Sequence, residues 1–555
     1  MKYRIMLTAI STALLLATAT GHAQRDLDTT GIRLWLERAD AIRMPETYDA
    51  DNYFTSYQLG PNSFRGFTAN GCLDSGDGPN CTQAIDGTAV WDVATAYPPH
   101  PDPHRDALHS TSVTAWATCG QWLNSTLMYG GTLYGFGHGE NPKPNTTDTC
   151  GTNFSTHHKT MTLWNSPTGS TAGLQGSWTH PVLIIDSTDG ETGSNESGEG
   201  DCTAIADTTY AYLFCRHPVG TTTGVARAPL SSLGGSSGTF VKYDNGWGSQ
   251  PGINGADSAI SGWVAGSGAT SSQLGSGASY WKDNNWVMLL NVADAGFQGI
   301  KASFTGLPNL QSNLIEFTTL PAPLFVQEVD PIQKNYPYKS DPPRNLYIYP
   351  SVLSLVDGTR TWDLTQKGQF LLAYAFVPPH NTLEQRILAM RSVSVTKSST
   401  LQDPQVLVAL TTRYDSGFDQ RYSSTQPVAF GSTSSSYPPA SFSQILVDTV
   451  GYLVQLPAAN LKSQGQTLTK LVECRSNAPW PLGHPDRLIT TNTCDNQYDE
   501  DTVAGYSYPN KPATGNSVEI YRCSSTANGT HWVSTSSTCE GLGTKEKPLG
   551  WILTK

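Results

Sequence analysis

The sequence has few charged residues, and positive charge is the scarcer kind. Asp, Glu, Lys and Arg make up 14% of the chain, with 34 Lys and Arg against 46 Asp and Glu, which gives a formal net charge of -12. Nucleic acids and anionic membranes attract proteins through a basic surface, so this balance argues against both as partners. A neutral ligand suits such a chain better.

Long apolar runs are missing after the first two dozen residues. The N-terminus has Lys2 and Arg4, an uncharged stretch over 5–20 and small residues up to Ala23, which is the pattern of a signal peptide. The stretch is shorter than the ~20 apolar residues of a membrane helix, and no later segment approaches that length. We therefore expect residues 1–23 to be a signal peptide and the rest to be secreted, extracellular or periplasmic, without membrane insertion.

Several cofactor and catalytic motifs are absent. The chain has no CxxC pair, no GxGxxG opening a helix and no Walker-type loop, which argues against a zinc ribbon and against nucleotide binding. Residues 234–238 match GxSxG, but they lie in a Gly/Ser-rich stretch without the strand-turn-helix setting of a nucleophile elbow. No organic cofactor is expected.

The cysteines are present in an even number, ten, and they follow one another in close pairs. In an exported protein this arrangement predicts a disulfide framework. The expected bonds join Cys72 to Cys81, Cys119 to Cys150, Cys202 to Cys215, Cys474 to Cys494 and Cys523 to Cys539.

Helical periodicity is nearly absent, and short β-branched and aromatic runs alternate with clusters of Gly, Pro, Asn and Asp, which predicts an all-β protein. Four similar runs begin at Leu133, Tyr210, Trp286 and Leu346. Repeats of this length with three or four strands each are typical of propeller blades. We predict a five-bladed β-propeller over residues 24–468, with its fifth blade around 406–456. A pair of β-sandwiches is the alternative.

Residues 469–555 have a different composition and predict a small disulfide-stapled β module with an internal duplication. Gly505-Tyr506 and Gly550-Trp551 each follow the second cysteine of a pair by eleven residues. A module this small has a thin apolar core and depends on disulfides. It resembles short Cys-bearing repeats of secreted bacterial proteins through Tyr521-Arg-Cys523 and Cys539-Glu-Gly541. Attachment to a wall or polysaccharide and a stabilising cap are both open roles.

Two short segments carry carboxylates where blade strands are expected to end or begin. In a strand, residues two apart point to the same face, so His138 and Glu140 should emerge together, and so should Glu199 and Asp201. Cleavage of a glycosidic bond needs one protonated acid and one carboxylate. When carboxyl groups lie close together their pKa values move apart, so that one group can stay protonated while the other is ionised. Hydrogen bonds from these carboxylates to backbone amides at turns are the structural alternative.

These segments belong to a longer resemblance, best over residues 125–310, to five-bladed propeller glycosidases of the arabinanase/β-xylosidase type. The matching segments are Tyr134–Glu140, Lys159–Trp164 with Trp178, Gly198–Cys202, Tyr210–Phe214, Val225–Arg227 and Lys242–Trp247. The resemblance implies three inner-strand acids, namely a base in the first blade, a pKa-tuning Asp in the second and a general acid Glu in the third. Asp201 matches the second of these.

The first blade lacks a clear Asp-Pro signature, and the third, placed around residues 258–272, offers Asp257 but no Glu. We therefore predict a local catalytic set of Glu140, Glu199 and Asp201. Further candidates from the fourth blade are Glu328 and Asp330. The predicted substrate-binding residues, which can donate to sugar hydroxyls or stack on a sugar ring, are His138, His158, Lys159, Arg227 and Trp247.

Two other groups of residues could hold a metal, although we expect a solvated loop in each case. One is the Pro-rich segment with His100, Asp102, His104, Asp106 and His109. The other is the acidic segment with Asp495, Asp499, Glu500 and Asp501, which is compatible with structural calcium but lacks the spacing of a helix-loop-helix site.

The leading hypothesis is a secreted, monomeric glycoside hydrolase acting on a polysaccharide or oligosaccharide through these carboxylates. A non-catalytic, lectin-like propeller could bind glycans through the same aromatic and polar residues. A polysaccharide lyase would use His138 or a Tyr as base beside Lys159 or Arg227, which would neutralise a uronate.

Overall fold

The structure is a computed structural model, and it describes part of the chain. The described residues are 31–38, 40–42, 52–70, 81–88, 90, 105–108, 119–142, 157–174, 176–179, 181–187, 197–216, 223–235, 239–258, 260, 277–293, 299–313, 315–320, 323–325, 347–363, 369–376, 387–397, 404–415, 420–426, 444–456, 461–476 and 486–555. The predicted signal peptide lies outside them. Within the described residues, no helix is long and apolar enough to cross a membrane.

Five antiparallel sheets form most of the described chain. Two N-terminal strands come first, β1 (Ile32–Leu36) and β2 (Asp40–Ile42). The first blade has β3 (Thr55–Gly60), β4 (Ser63–Asn70), β5 (Cys81–Gly87) and β6 (Arg105–Leu108). The second has β7 (Gly120–Tyr129), β8 (Thr132–Pro142), β9 (His157–Pro167), β10 (Val182–Ile185) and the short β11 (Ser197–Gly198), which pairs with β9.

The next two blades follow the same order. The third blade has β12 (Gly200–Ala206), β13 (Tyr210–Arg216), β14 (Thr223–Pro229), the 3-10 turn Leu230–Ser232, β15 (Val241–Tyr243) and β16 (Trp247–Pro251). The fourth has β17 (Gly277–Trp281), the 3-10 turn Lys282–Asn284, β18 (Trp286–Ala293), β19 (Gly299–Gly306), the short helix Leu307–Gln311 and β20 (Thr318–Thr319).

The fifth blade is completed by the N-terminus. It contains β21 (Tyr347–Ser354), β23 (Gln369–Phe376) and β24 (Ile387–Lys397), while β22 (Thr361–Trp362) pairs with β17 of the fourth blade. Both N-terminal strands, β1 and β2, pair antiparallel with β24 and form the outer strand of this blade. Sequence-distant residues therefore close the ring, which is how a propeller avoids leaving the last blade incomplete.

The first strands of the five blades form a closed ring around a central axis. β3 contacts β7, β7 contacts β12, β12 contacts β17, β17 contacts β21, and β21 contacts β3. Side-chain hydroxyls bridge neighbouring blades, since Thr55, Ser125 and Thr203 accept hydrogen bonds from backbone amides of the next blade at 2.9 to 3.1 Å. The predicted fold class, an all-β five-bladed propeller with an additional disulfide-bonded β part, is confirmed.

Arg360 occupies the axis between the inner strands. Its guanidinium donates to the carbonyls of Phe54, Asn124 and Ala278 and to the Ser351 hydroxyl, at 3.2 to 3.4 Å. These four partners belong to four different blades. Burial lowers the pKa of Arg360 to about 10, which still leaves the group charged at neutral pH. One buried guanidinium therefore donates hydrogen bonds to four of the five blades.

The assignment of strands to blades differs from the sequence-based one. The runs at Leu133, Tyr210 and Trp286 are second strands of the second, third and fourth blades, but the run at Leu346 leads into a first strand. The first blade, residues 55–108, carries no comparable run and was missed. The strands at 405–415 and 444–455, where sequence predicts a fifth blade, follow the blade formed by 347–397: the first pairs parallel with β1 of that blade, and the second continues the same sheet towards the C-terminal strands.

The C-terminal part contains three similar three-stranded units. The first has β25 (Gln405–Asp415), β26 (Gln420–Ser424) and β27 (Gln444–Gln455), followed by the hairpin β28 (Lys462–Ser463) and β29 (Gln466–Thr467). The second has β30 (Thr469–Ser476), β31 (Arg487–Thr491) and β32 (Tyr498–Ser507). The third has β33 (Ser517–Ser525), β34 (His531–Ser534), the 3-10 turn Cys539–Gly541 and β35 (Gly543–Leu553).

The three units share one register pattern, and the duplication predicted for the last two stays a prediction. In each unit the first strand pairs with both others, and a register shift follows one aliphatic-glycine pair. These pairs are Leu410 with Gly451, Leu471 with Gly505 and Ile520 with Gly550. All three glycines have positive φ, and each precedes an aromatic residue, namely Tyr452, Tyr506 and Trp551. We name residues 405–555 the three-unit module.

The first unit differs from the others in having no cysteine pair. Arg413 lies three residues after Leu410, where the other units have Cys474 and Cys523. Its guanidinium donates to the carbonyl of Gln426, just after β26, at 3.4 Å. A hydrogen bond therefore takes the place of a disulfide. Strands on both sides of residue 468 belong to the same sheet. The domain boundary predicted at that residue stays a prediction.

Three of the five predicted disulfides are confirmed. They join Cys202 to Cys215, Cys474 to Cys494 and Cys523 to Cys539. The other two predicted pairs include Cys72 and Cys150, which lie outside the described residues. Disulfides persist in oxidising compartments, so the confirmed bonds favour an extracytoplasmic location, and secretion itself stays a prediction.

His531 makes the stability of the three-unit module depend on pH. Its Nδ1 contacts the Asp486 carboxylate at 2.5 Å and its Nε2 contacts Glu546 at 3.3 Å, with Tyr498 and Arg522 nearby. Burial lowers the pKa of His531, but the hydrogen bond and charge of Asp486 outweigh burial and raise it above the usual value.

Because that pKa is raised on folding, the stabilising interaction is complete below the unfolded value of about 6.5 and is lost as pH rises through the folded pKa. We expect the melting temperature to fall between pH 6 and 9 by more in the intact chain than in His531→Gln. Calorimetry of both proteins across this range checks it. Parallel pH curves for the two proteins would contradict it.

Candidate functional site

One end of the axis is lined by residues at matching positions of three inner strands. Tyr53 lies two residues before Thr55, Asp201 two before Thr203, and Tyr349 two before Ser351, at the point where each strand begins. Tyr349 and Asp201 have positive φ, 50° and 52°, next to register shifts in their strands. Such left-handed backbone costs of order 1 kcal/mol for a non-Gly residue and often marks a functional site.

Asp201 lies in a buried polar cluster that spans two blades. Its carboxylate accepts a hydrogen bond from Lys159 Nζ at 3.0 Å, and Lys159 Nζ is also 3.9 Å from Glu140. Glu140 contacts His138 Nε2 at 3.3 Å and His157 Nδ1 at 2.8 Å. Two carboxylates therefore share one ammonium group. We call these five residues the axial cluster.

His138 connects the two carboxylates through both ring nitrogens. Its Nδ1 accepts a hydrogen bond from the backbone N–H of Asp201 at 3.1 Å, so the ring proton belongs on Nε2, which donates to Glu140. The expectation that His138 and Glu140 share a strand face is confirmed. His138 thus holds both the Glu140 carboxylate and the left-handed backbone at Asp201.

Both carboxylates of the axial cluster are ionised at neutral pH. Burial alone would raise the pKa of Asp201, but the charges of Lys159 and of Arg216, 3.9 Å away, lower it to about 2. Burial likewise opposes ionisation of Glu140, and hydrogen bonds from His138 and His157 outweigh it and lower its pKa. Each carboxylate is 5 to 7% exposed.

Glu199 belongs to a separate buried group. Its carboxyl contacts Lys242 Nζ and hydrogen-bonds Asp257, and Lys242 also donates to the carbonyls of Asp186 and Gly255. Burial, together with the charge of Asp257, raises the pKa of Glu199 well above its usual value, and the charge of Lys242 opposes this shift.

The expectation that Glu199 and Asp201 face the same way is wrong. Alternation of side chains requires extended backbone, and the left-handed conformations of Gly198 and Asp201 interrupt it. The two carboxyl groups consequently have different partners, Lys242 and Lys159. They are two residues apart in the chain and have opposite pKa shifts.

The other predicted binding residues lie away from the axial cluster. His158, beside Lys159, hydrogen-bonds Ser197 and Asp186 at 2.9 and 2.7 Å. Arg227 and Trp247 belong to the outer strands β14 and β16, where the guanidinium stacks 4.0 Å from the Trp247 ring centroid. Trp247 Nε1 donates to the carbonyl of Leu310 in the fourth blade. This pair packs two blades together at the rim, so it does not face the axis.

Four residues at this site were not predicted from the sequence: His157 of the axial cluster and, around it, Tyr53, Arg216 and Arg360. Tyr53 is fully buried, and burial together with the charge of Asp201 raises its pKa well above the usual value. Its ring lies 5.3 Å from that of Tyr349. Each missed residue comes from a different strand or turn, and no local motif marks them.

The remaining candidates are not part of this site as described. Glu328, Asp330 and the Pro-rich segment at 100–104 lie outside the described residues. Asp499 and Glu500 are in strand β32, paired with Arg475 and Cys474, rather than in a loop. Within the described part of the chain, no group of three or more His, Cys, Asp or Glu side chains could hold a metal ion.

The blade positions also bear on the acids that the resemblance implies. With the missed first blade counted, Glu199 and Asp201 belong to the third blade, where the resemblance places a general acid. In the described parts of the first two inner strands, residues 52–60 and 120–129, no Asp or Glu occurs. The three-acid pattern is therefore not reproduced at these positions.

Several solved structures have a similar fold at low sequence identity. The α-L-arabinofuranosidase from Lactobacillus brevis is 12% identical, with 63% of this chain and 92% of that one covered and a TM-score of 0.40. The catalytic domain of the Coprinopsis cinerea GH62 α-L-arabinofuranosidase is 11% identical, with 66% and 98% covered and a TM-score of 0.36.

The arabinanase from Bacillus subtilis is 12% identical, with 62% of this chain and 95% of that one covered and a TM-score of 0.31. No protein-family model matches the chain, and no curated protein matches it.

Proposed function

We propose that the chain is a glycoside hydrolase whose reaction centre is the axial cluster. The observation that carries this proposal is the pair of ionised carboxylates, Asp201 and Glu140, that share Lys159 at the axial end of the propeller. Aromatic rings flank the pair, with Trp122 5.4 Å from the His138 ring and Tyr53 close to Asp201. Carboxylates beside aromatic side chains form the kind of site that binds and hydrolyses sugars.

In this proposal the axial carboxylates act as bases and as counter-charges. An ionised Asp201 activates water or stabilises the positive charge that develops at the anomeric carbon. Lys159 and Arg216 keep it ionised, while Glu140 holds Lys159 and His138 in place. Glu199 is the predicted catalytic carboxyl that retains a proton at neutral pH, so we assign it the general-acid role. Gly198 and Gly200 flank it in the chain.

The general-acid assignment predicts a dependence on the leaving group. Glu199→Gln is expected to lower kcat on a natural glycoside by about 10²–10⁴-fold, because proton transfer by a positioned side chain contributes that much. A dinitrophenyl glycoside needs no protonation to leave, so its hydrolysis should change by less than tenfold. Rates on the two substrates measure the difference. An equal loss on both would mean that Glu199 only supports the structure.

A non-catalytic glycan-binding function is the second candidate, and one observation favours it. Asp201 and Glu140 both have lowered pKa values, so neither can donate a proton at neutral pH. A binding site needs only charge and hydrogen bonds, which the axial cluster supplies without Glu199.

Release of new reducing ends distinguishes the two functions. The purified chain is incubated with a panel that includes arabinan, xylan and arabinoxylan, and the Asp201→Asn and Asp283→Asn variants are tested beside it. Asp283 is exposed in the turn after β17, at the opposite end of the propeller, and serves as the matched Asp→Asn control. The proposal is supported if the intact chain and Asp283→Asn release reducing ends and Asp201→Asn does not. Binding without release of reducing ends on every polymer contradicts it and supports the second candidate.

A further inference from the structure

A cavity lies between the fifth blade and the three-unit module, and none of the axial-cluster residues lines it. Its volume is about 660 Å³, within the size range of small-molecule sites. Its wall combines the N-terminal strand β1, strands β23 and β24 of the blade and the end of β35 with the segment before β33.

One wall is a sheet face covered with polar side chains. Arg33 and Trp35 of β1 are paired with Thr396 and Ser394 of β24, so all four project from the same face. Trp35 Nε1 donates to the Thr396 hydroxyl at 2.8 Å, and the Gln369 amide donates to the Ser394 hydroxyl at 3.0 Å. Hydroxyl and amide groups of this kind match the hydroxyls of a sugar.

The Arg33 guanidinium is incompletely hydrogen-bonded. Its Nε donates to the Gln405 amide oxygen at 3.0 Å, but Nη2 is buried and has no acceptor among the described residues. A buried donor without a partner costs about 1–3 kcal/mol, more when it is charged. Burial also lowers the pKa of Arg33, which shows that its charge is poorly solvated. An anion beside the guanidinium would offset the cost to its charge.

The cavity has two cations, and one of them is already paired. Lys555 Nζ lies 5.8 Å from the centroid of the Trp35 ring, donates to the Ser394 hydroxyl at 3.1 Å and forms an ion pair with Glu37. The Arg33 guanidinium lies 6.0 Å from the same ring. No Asp or Glu side chain lines the cavity within the described residues. The Arg33 guanidinium is therefore the group that would favour a ligand with negative charge.

We propose that this cavity binds a carboxylate-bearing sugar, a uronic acid residue, with the carboxylate on Arg33 and the hydroxyls on the Gln369, Thr396 and Asn516 side chains. A guanidinium pairs with a carboxylate more strongly and more specifically than an ammonium does, because its planar N–H groups can donate two parallel hydrogen bonds. The site is separate from the axial cluster, so it would let the protein hold an acidic glycan whether or not the axial cluster is catalytic.

Calorimetric titration of the full chain with glucuronate and with its methyl ester tests this proposal. The ester keeps the sugar and removes the charge, so we expect glucuronate to bind at least tenfold more tightly. Arg33→Gln should lose this preference, and Arg33→Lys should retain part of it because a charge remains without the planar fork. Arg227→Gln, at the propeller rim, and Asp201→Asn, in the axial cluster, should bind glucuronate like the intact chain.

Three results would overturn the inference. The first is equal affinity for glucuronate and its ester. The second is undiminished binding by Arg33→Gln and Arg33→Lys when both variants melt like the intact chain. The third is binding of acetate as tight as that of glucuronate, because the site would then recognise a carboxylate and no sugar. Loss of binding in Asp201→Asn alone would assign the ligand to the axial cluster and would also contradict the proposal.

Discussion

Asp201→Asn is expected to lower kcat by about 10²–10⁴-fold with little change in KM, because the variant keeps the size and hydrogen-bonding capacity of the side chain and loses its charge. The Asn carbonyl can still accept from Lys159, which lies 3.0 Å from the carboxylate in the native chain. Arg216 and Glu140 remain in place. The effect should therefore fall on the chemical step, and initial rates across substrate concentrations measure it.

Two controls distinguish a loss of catalysis in Asp201→Asn from a loss of folding. Asp201 is buried beside a cation, so removal of its charge could also destabilise the protein. Thermal unfolding of Asp201→Asn shows whether the fold survives under assay conditions. The exposed control Asp283→Asn should keep full activity. A folded Asp201→Asn protein with less than a tenfold loss of kcat would remove Asp201 from the reaction.

Arg360→Met is expected to lower the free energy of unfolding by about 3 kcal/mol or more. The substitution keeps the length of the side chain and removes every donor to Phe54, Asn124, Ala278 and Ser351. Each buried acceptor that loses its partner costs about 1–3 kcal/mol, and the gain from removing a buried charge offsets only part of this. Urea unfolding monitored by tryptophan fluorescence measures the change.

The matched comparison is Arg227→Met at the rim of the propeller. Arg227 stacks on Tyr210 and Trp247 and makes one long hydrogen bond to the carbonyl of Gln311, within a partly exposed site. Its replacement should cost about 1 kcal/mol or less. If Arg360→Met costs no more than Arg227→Met, the central arginine does not hold the inner strands together.

The all-β propeller could be predicted because apolar second strands recur at blade-length spacing, as at Tyr210 and Trp286. The first blade and the strand that completes the fifth blade could not be predicted in this way. The first blade has the inner strand Thr55–Gly60 with polar residues among its apolar ones, and it carries no aromatic run. The fifth blade needs β1, whose partner residues in β24 are more than 350 positions away. Pairing over such a distance leaves no local pattern.

The same contrast applies to the candidate site. Strand alternation correctly paired His138 with Glu140, because β8 is regular there. The same rule failed for Glu199 and Asp201, because left-handed backbone at Asp201 breaks the alternation. The residue types in this segment do not indicate that conformation. Arg216 reaches Asp201 through the pairing of β12 with β13, in which it lies opposite Gly200, whereas Tyr53 comes from another blade and approaches Asp201 only because the ring closes. The first unit of the three-unit module could not be recognised from the sequence, since Arg413 stands where the other two units have a cysteine.

A crystal structure of Asp201→Asn soaked with an oligosaccharide that the intact chain cleaves tests the central claim most directly. The slow variant should keep the substrate intact long enough to be seen. We expect a sugar ring at the axial end of the propeller, with its anomeric carbon or glycosidic oxygen within about 3.5 Å of the side chain at position 201. A substrate bound only elsewhere, with the axial cluster unchanged, would contradict the claim.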